Sequence, residues 1–211
     1  MTNYSQDHFN KLYAEEERDP WKYFESDYEQ QKYDRTLRWA LDREEPEGVT
    51  DILELGCGNG AFTEKLVSAY PNADVLGVDI SEEALNKARD AAPEADFICG
   101  DMFNIIQELE GEYDLIFASE CLYYLTDMYS VQEFRDFVDS ATDLLSNGCL
   151  LSANIHREPS EENSVEDKET MAILLTILET SFDLVGQNTY TEKKRTEGRT
   201  REYEYQIWAF D

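Results

Sequence analysis

The chain has 211 residues, enough for one domain with a full core and too few for two comfortable ones. Its 18 Lys and Arg stand against 47 Asp and Glu, a formal net charge of −29, which argues against nucleic acid or an anionic membrane as partner because both need a basic face. With 41% hydrophobic and 12% aromatic residues, it is not a disordered acidic tail either.

Residues 1–47 form a polar, aromatic-rich leader that turns helical from Tyr28 onward, with Tyr33, Leu37, Ala40 and Leu41 on one face. Glu44-Glu45-Pro46-Glu47-Gly48 ends that helix and marks the boundary with the domain at 48–211. Short apolar strands then alternate with helical segments. Strands are expected near 51–55, 74–79, 95–98, 113–119 and 149–155, and helices near 60–69, 82–91, 102–109 and 130–145. The last helix carries Phe134, Val138, Ala141 and Leu145 on one stripe, with Asn147-Gly148 as its stop. Alternating β and α predicts a parallel, doubly wound sheet with right-handed crossovers.

After a polar loop at 158–167, Met171, Leu174, Leu175 and Leu178 mark another helix. Two closing strands are expected near 183–191 and 201–210. The short link Lys193-Lys194-Arg195-Thr196-Glu197-Gly198-Arg199 makes them a hairpin, so the last strand runs antiparallel. The fold class is therefore α/β, a Rossmann-like sheet of seven strands, five or six of them parallel and the last antiparallel. The acids Glu192, Glu197 and Glu202 largely offset the basic link, which reads as a solvated turn.

The acids are spread through the whole chain, as in Glu15-Glu16-Glu17, Glu44-Glu45, Glu82-Glu83 and Glu161-Glu162. A folded domain this acidic resembles proteins of salt-loving organisms, where salt screens self-repulsion and a hydrated acidic surface preserves solubility. The melting temperature is accordingly expected to rise between dilute buffer and molar KCl; equal values would remove the halophilic reading. Cys57, Cys99, Cys121 and Cys149 have no C-x-x-C spacing and read as small thiols at the edges of buried strands, neither a disulfide set nor a metal site. The first residues lack the basic and apolar stretches of a signal peptide, and no apolar run reaches the roughly 18 residues a membrane span needs. A cytoplasmic location is expected.

The chemistry centres on Ile52-Leu53-Glu54-Leu55-Gly56-Cys57-Gly58-Asn59-Gly60, an apolar strand that opens into three alternating glycines. Such a turn lets a ligand lie against backbone with no Cβ in the way. Asp79, with Ile80 beside it, ends the second apolar strand at the place where a nucleotide fold keeps its ribose-binding acid. Gly100-Asp101-Met102 follows the third strand. Gly56, Gly58 and Ala61 also satisfy the literal dinucleotide pattern, but Glu54, Asp79 and Asp101 would all face the pyrophosphate of NAD. One like-charge pair at about 4 Å costs on the order of 4 kcal/mol near a protein surface.

S-adenosylmethionine carries a sulfonium and an ammonium with a single carboxylate, and an acid-lined pocket suits it. The arrangement resembles a class I S-adenosylmethionine-dependent methyltransferase. That resemblance implies that Gly56, Cys57, Gly58 and Gly60 cradle the methionyl part and that Glu54 helps hold its ammonium group. It implies also that Asp79 accepts from the ribose hydroxyls, and that Asp101 and the Met102 amide meet the adenine. Plain helix capping is the bland reading of Asp79 and Asp101.

After the fourth strand, Ser119-Glu120-Cys121-Leu122-Tyr123-Tyr124-Leu125 reads as a loop facing the methyl group and the acceptor. Glu120 is the candidate general base or acceptor-orienting carboxylate, with a structural hydrogen bond as its alternative. Tyr123 and Tyr124 are candidates to wall the acceptor site, one of them as core. His156 follows the fifth strand and is a second base candidate, beside the reading of an exposed loop histidine.

Asp19-Pro20-Trp21, Ser26-x-Tyr28-Glu29-x-x-Lys32-Tyr33, Gly60-Ala61-Phe62-Thr63-Glu64 and Glu120-x-Leu122-Tyr123-Tyr124-Leu125 together resemble the NodS (nodulation protein S) methyltransferases over roughly residues 18–155. Those enzymes N-methylate the amino sugar of a deacetylated chitooligosaccharide. The resemblance implies that residues 1–47 form a helical lid over cofactor and substrate. Trp21 then lies near the ligands, and Lys32, where the family tends to have arginine, reaches the cofactor carboxylate. Little matches after residue 157, where acceptor specificity would lie. The expected function is methyl transfer to a small acceptor, best an amine of a sugar-like molecule. The alternatives are an oxygen-directed methyltransferase, a noncatalytic cofactor-binding module and, least, a nicotinamide oxidoreductase.

Overall fold

Strands that are apolar on both sides need helices on both faces of their sheet, and the chain supplies them in alternation. The computed structural model describes residues 4–15, 19–157, 164–196 and 199–211. In chain order the elements are α1 (Gln6–Glu15), α2 (Asp27–Leu41), β1 (Asp51–Leu55), α3 (Thr63–Ala69), β2 (Asp74–Asp79), α4 (Glu82–Ala91), β3 (Asp96–Cys99), α5 (Met102–Glu108), β4 (Tyr113–Ser119), α6 (Leu122–Met128), α7 (Val131–Leu144), β5 (Leu145–Arg157), α8 (Ser164–Leu178), β6 (Leu184–Thr196) and β7 (Arg199–Phe210).

The seven strands form one sheet in the order β3-β2-β1-β4-β5-β7-β6. Strands β1 to β5 pair in parallel, while β7 lies antiparallel between β5 and β6. This is the expected doubly wound sheet with an antiparallel last strand. The β6–β7 ladder runs further than expected, closing on the pair Thr196 and Arg199.

The period-2 alternation of each strand sorts its residues between the two faces. Leu53, Leu55, Ile116, Ala118 and Leu150 pack with side chains of α5, α6, α7 and α8. Ile52, Leu115, Phe117 and Leu151 pack on the other face with α2 and α3, around Tyr33, Ala40 and Leu66. Leu85 and Ala88 of α4 close over Cys57 and Phe97 beside them.

Three elements differ from expectation. Residues 6–15 form α1, capped by Ser5, whose Oγ accepts the His8 N–H at 3.3 Å. Residues 122–128, read as a loop, form α6. Asn147-Gly148 does not stop a helix: α7 ends at Leu144 and β5 begins at once. Between the pairs Tyr113–Leu145 and Leu115–Cys149 the register slips, so these two residues sit in a bulge of β5. A Cβ on Gly148 would lie 1.9 Å from the backbone oxygen of Asp114, which is why the bulge needs glycine there.

Candidate active site

In a sheet of this order the chain leaves β3 and crosses to the far side of β1 to lay down β4. The carboxyl ends of the strands open into a crevice at that reversal. The cavity there is lined by Gly56 and Gly58 after β1, Asp79 and Ile80 at the end of β2, and Asp101 and Met102 after β3. Ser119, Glu120 and Cys121 at the end of β4 and Ile155 of β5 also line it. Segments far apart in sequence meet here because every parallel strand ends on the same edge.

The glycine turn is built tightly. Gly58 has φ +56°, and a Cβ on it would lie 2.7 Å from the Tyr13 hydroxyl. Gly60 has φ +81°, and a Cβ there would lie 2.8 Å from Ala88 Cα, so this glycine lets α4 approach the turn. Gly60, Cys57 and Glu54 lie behind the cavity wall and not on it.

Glu54 faces the α2–α3 side of the sheet, where it accepts the Thr63 hydroxyl at 2.6 Å. Burial pushes its carboxyl up to about 8, with the Asp79 charge adding to the rise and the Thr63 bond opposing it. Direct contact with a cofactor ammonium would require it to reach past the turn.

Asp79 fastens the turn from outside. Its carboxylate accepts the Gly58 N–H at 2.8 Å and the Ser81 N–H at 2.9 Å. Burial pushes it up to about 6, and those two backbone bonds hold it lower than burial alone would. Asp101 caps α5 through the Phe103 N–H at 3.0 Å, while its other oxygen accepts the Tyr129 hydroxyl at 2.5 Å. Tyr129 in turn stacks on Phe103, with centroids 4.1 Å apart. So the capping reading holds for Asp101 and fails for Asp79, and both carboxylates still border the cavity.

Across the cavity Lys32 of α2 is 1% exposed, and its ammonium lies 2.7 Å from Glu29 Oε2 and 3.2 Å from Glu120 Oε1. Burial works against that ammonium, but the Glu120 and Glu29 carboxylates outweigh it and hold its pKa above the ordinary lysine value. Glu120 sits in the left-handed region at φ +57°, unusual for a residue with a side chain. That turn is held by its N–H to Ala153 O at 2.8 Å and by the Ile155 N–H on its Oε2 at 3.2 Å. Burial raises the Glu120 carboxyl, Lys32 pulls it down, Glu29 pushes it up again, and the result stays above the usual range.

Aromatic rings supply most of the remaining wall. Trp21 stacks on Tyr23 at 5.6 Å and meets Tyr13 at 5.5 Å, and all three line the cavity. Tyr4 and Phe9 pack against Tyr124, whose hydroxyl accepts that of Tyr123 at 3.3 Å. Both tyrosines face the cavity, so neither is simply core. The His156 side chain lies outside the described residues; its backbone belongs to β5.

Reading the sequence missed Glu29, Ser119, Tyr13 and Tyr23 as site residues. Glu29 stands three residues before Lys32, a helical pair visible in the sequence, but nothing local showed that the pair is buried. Ser119 Oγ is buried at the wall with no hydrogen-bond partner among the described residues.

The residues present fit S-adenosylmethionine. Among the described residues that line the cavity are four carboxylates, one lysine and seven aromatic side chains. Acidic and aromatic walls favour a sulfonium cation, and Asp79 and Asp101 offer acceptors to a nucleoside.

Comparison with known proteins agrees in both sequence and architecture. The family model described as Nodulation protein S (NodS) matches residues 5–151. The nodulation protein S of Azorhizobium caulinodans is 30% identical over 128 residues, covering 61% of this chain and 58% of that protein. A trans-aconitate 2-methyltransferase of Enterobacter sp. is 38% identical over 96 residues, covering 44% of this chain and 34% of that protein. The chain thus spans between a third and about three-fifths of the length of these relatives. The crystal structure of the N-methyltransferase NodS from Bradyrhizobium japonicum WM9, in complex with S-adenosyl-L-homocysteine, superposes with a TM-score of 0.74 at 21% identity. It covers 97% of this chain and 96% of that one, and so shares the whole fold.

Proposed function

The chain belongs to the nodulation protein S (NodS) family, and from that premise we propose that it is an S-adenosylmethionine-dependent methyltransferase acting on the amine of a small, sugar-like acceptor. The observation that carries the reading is the charge of the cavity wall, where Glu29, Asp79, Asp101 and Glu120 face a single described lysine, Lys32. That excess of negative charge favours cations. A carboxylate acceptor, of the kind named in the trans-aconitate relative, would enter against it.

When bound, S-adenosylmethionine supplies a methyl group already activated on a sulfonium. The chain's own residues then have to hold, orient and exclude water. In this reading Asp79, beside Ile80, accepts from the ribose hydroxyls, and Asp101 with the Met102 amide meets the adenine. Gly56 and Gly58 bring backbone close to the methionyl part, with Cys57, Gly60 and Glu54 supporting the turn from behind. Lys32 reaches the cofactor carboxylate from α2.

Glu120 orients the acceptor amine and takes its proton. Tyr123 walls the acceptor, and the rings of Tyr4, Phe9 and Tyr124 offer flat faces for a sugar. Residues 1–47 act as a lid: Asn10 accepts the Ser81 hydroxyl at 2.8 Å and Lys87 donates to Tyr13 O at 2.6 Å, fixing α1 beside the ribose and adenine acids.

A thermal-shift titration in molar KCl with S-adenosylmethionine, S-adenosylhomocysteine and NAD side by side tests the reading. A ligand at a hundred times its Kd adds about 2.7 kcal/mol, roughly 5–10 °C at this size. A shift with the adenosyl ligands alone is expected. A shift with NAD alone would overturn the acidic-pocket argument and bring in the dinucleotide reading.

A further inference from the structure

Lys32 is claimed by two carboxylates, and the claims are unequal. The Glu29 ion pair is the shorter, 2.7 Å against 3.2 Å for Glu120, while the Glu120 contact is also aligned as a hydrogen bond. The two partners are also mounted differently. Glu29 and Lys32 stand at i and i+3 on one face of α2, while Glu120 comes from the turn after β4, 88 residues along the chain. A lysine paired with Glu120 alone would neutralise it through a strong charge-assisted bond and leave a poor proton acceptor. With Glu29 drawing the ammonium away and adding a second negative charge nearby, Glu120 keeps the longer bond and gains basicity.

We infer that Glu29 is a positioning residue: by sharing Lys32 it sets the basicity of Glu120 at the acceptor end of the cavity. The inference rests on the reading of Glu120 as the carboxylate that faces the acceptor amine. The titratable groups facing Glu120 are Lys32, Glu29, Tyr28 and Tyr33 from α2, and Cys121, Tyr123 and Tyr124 from the turn and helix that follow it. The tyrosines and the thiol are all raised by burial and stay neutral through the range in which carboxylates titrate. Only Lys32 and Glu29 on that list are charged there, so a change at Glu29 reaches Glu120 directly or through Lys32.

The test is a carboxyl-carbon NMR titration of the full chain labelled at glutamate, with the Glu120 signal assigned by its loss in Glu120→Gln. In Glu29→Gln the Glu120 pKa is expected to fall by about one unit, the ordinary effect of removing a like charge nearby. In Glu29→Asp, which keeps the charge, it should return most of the way to the wild-type value. Glu29→Ala serves as the uncharged variant if the glutamine variant does not fold.

A Glu120 titration that stays within 0.3 unit (~0.4 kcal/mol) of wild type in both uncharged variants overturns the inference. So does an equal fall in Glu29→Asp. No acceptor is needed, so this result is separable from the thermal-shift test of the methyltransferase reading. With an amino sugar as probe acceptor, the acid limb of the rate profile should move down by the same amount in Glu29→Gln.

Discussion

Replacing Asp79 with alanine is expected to weaken binding of S-adenosylhomocysteine by about 1–3 kcal/mol, roughly 5- to 150-fold in Kd, read by titration calorimetry. Two losses add up in that number. Each carboxylate oxygen of Asp79 already accepts one backbone N–H, from Gly58 and from Ser81, and retains a second lone pair for a ribose hydroxyl. On the proposed reading the ribose hydroxyls lose their acceptors without the side chain, and the glycine turn loses the carboxylate that accepts the Gly58 N–H.

Asp79→Asn separates the two. It keeps the volume and one acceptor oxygen, but its amide N–H₂ faces the backbone N–H of Gly58 or Ser81 and cannot serve both. Its affinity should fall between wild type and Asp79→Ala. Unchanged affinity in both variants would show that the ribose lies elsewhere in the cavity.

The sheet was legible because its signals are local and repeated. Each strand is a short apolar run, each is followed by a helical stripe, and the hairpin link is short and glycine-bearing. The acids at the ends of β2 and β3 followed from the same pattern, since a parallel sheet delivers the end of every strand to one edge.

Helix α1 was not legible. Its apolar side is little more than Phe9, Leu12 and Tyr13, and it is fixed by tertiary bonds that Asn10 accepts from Ser81 and the Tyr13 carbonyl accepts from Lys87. Helix α6 failed for a related reason. In Leu122-Tyr123-Tyr124-Leu125 the buried leucines and the cavity-facing tyrosines are all apolar enough to hide a helical period in so few residues. Asn147-Gly148 was a true punctuation mark read as the wrong one, because a strand bulge and a helix end call for the same residue.

At the site, the individual candidates were visible while their partners were not. Lys32 was carried over by resemblance toward the cofactor, and Glu120 was placed by its strand. That the two touch depends on α2 folding back across β5, a contact between segments 88 residues apart.

That contact sets the largest expected effect. Lys32→Met should destabilise the ligand-free protein by about 3–5 kcal/mol, the usual cost of breaking a buried ion pair from one side, out of a total that is commonly 5–15 kcal/mol. Methionine fills the space of the stem, so the loss is electrostatic: Glu29 at 3% exposure and Glu120 remain facing each other with no ammonium between them. The lysine also lies 5.5 Å from the ring centres of Tyr28 and Tyr33, contacts that methionine partly keeps.

The sign of the pH dependence follows. The Glu120 carboxyl already stands above the unfolded glutamate value of about 4.3; without Lys32 it rises further, so the folded state holds its proton more tightly and loses stability as pH rises from there. The deficit in Lys32→Met should therefore be small at pH 5 and large at pH 8, measured by denaturant unfolding in molar KCl. Lys32→Met combined with Glu29→Gln and Glu120→Gln removes every charge of the group, and it should recover most of the loss or exceed wild type. If the single variant loses less than about 1 kcal/mol with no pH dependence, the range for an exposed pair, then solvent and not Lys32 neutralises these carboxylates. Glu29 would then have no lever on Glu120 through Lys32.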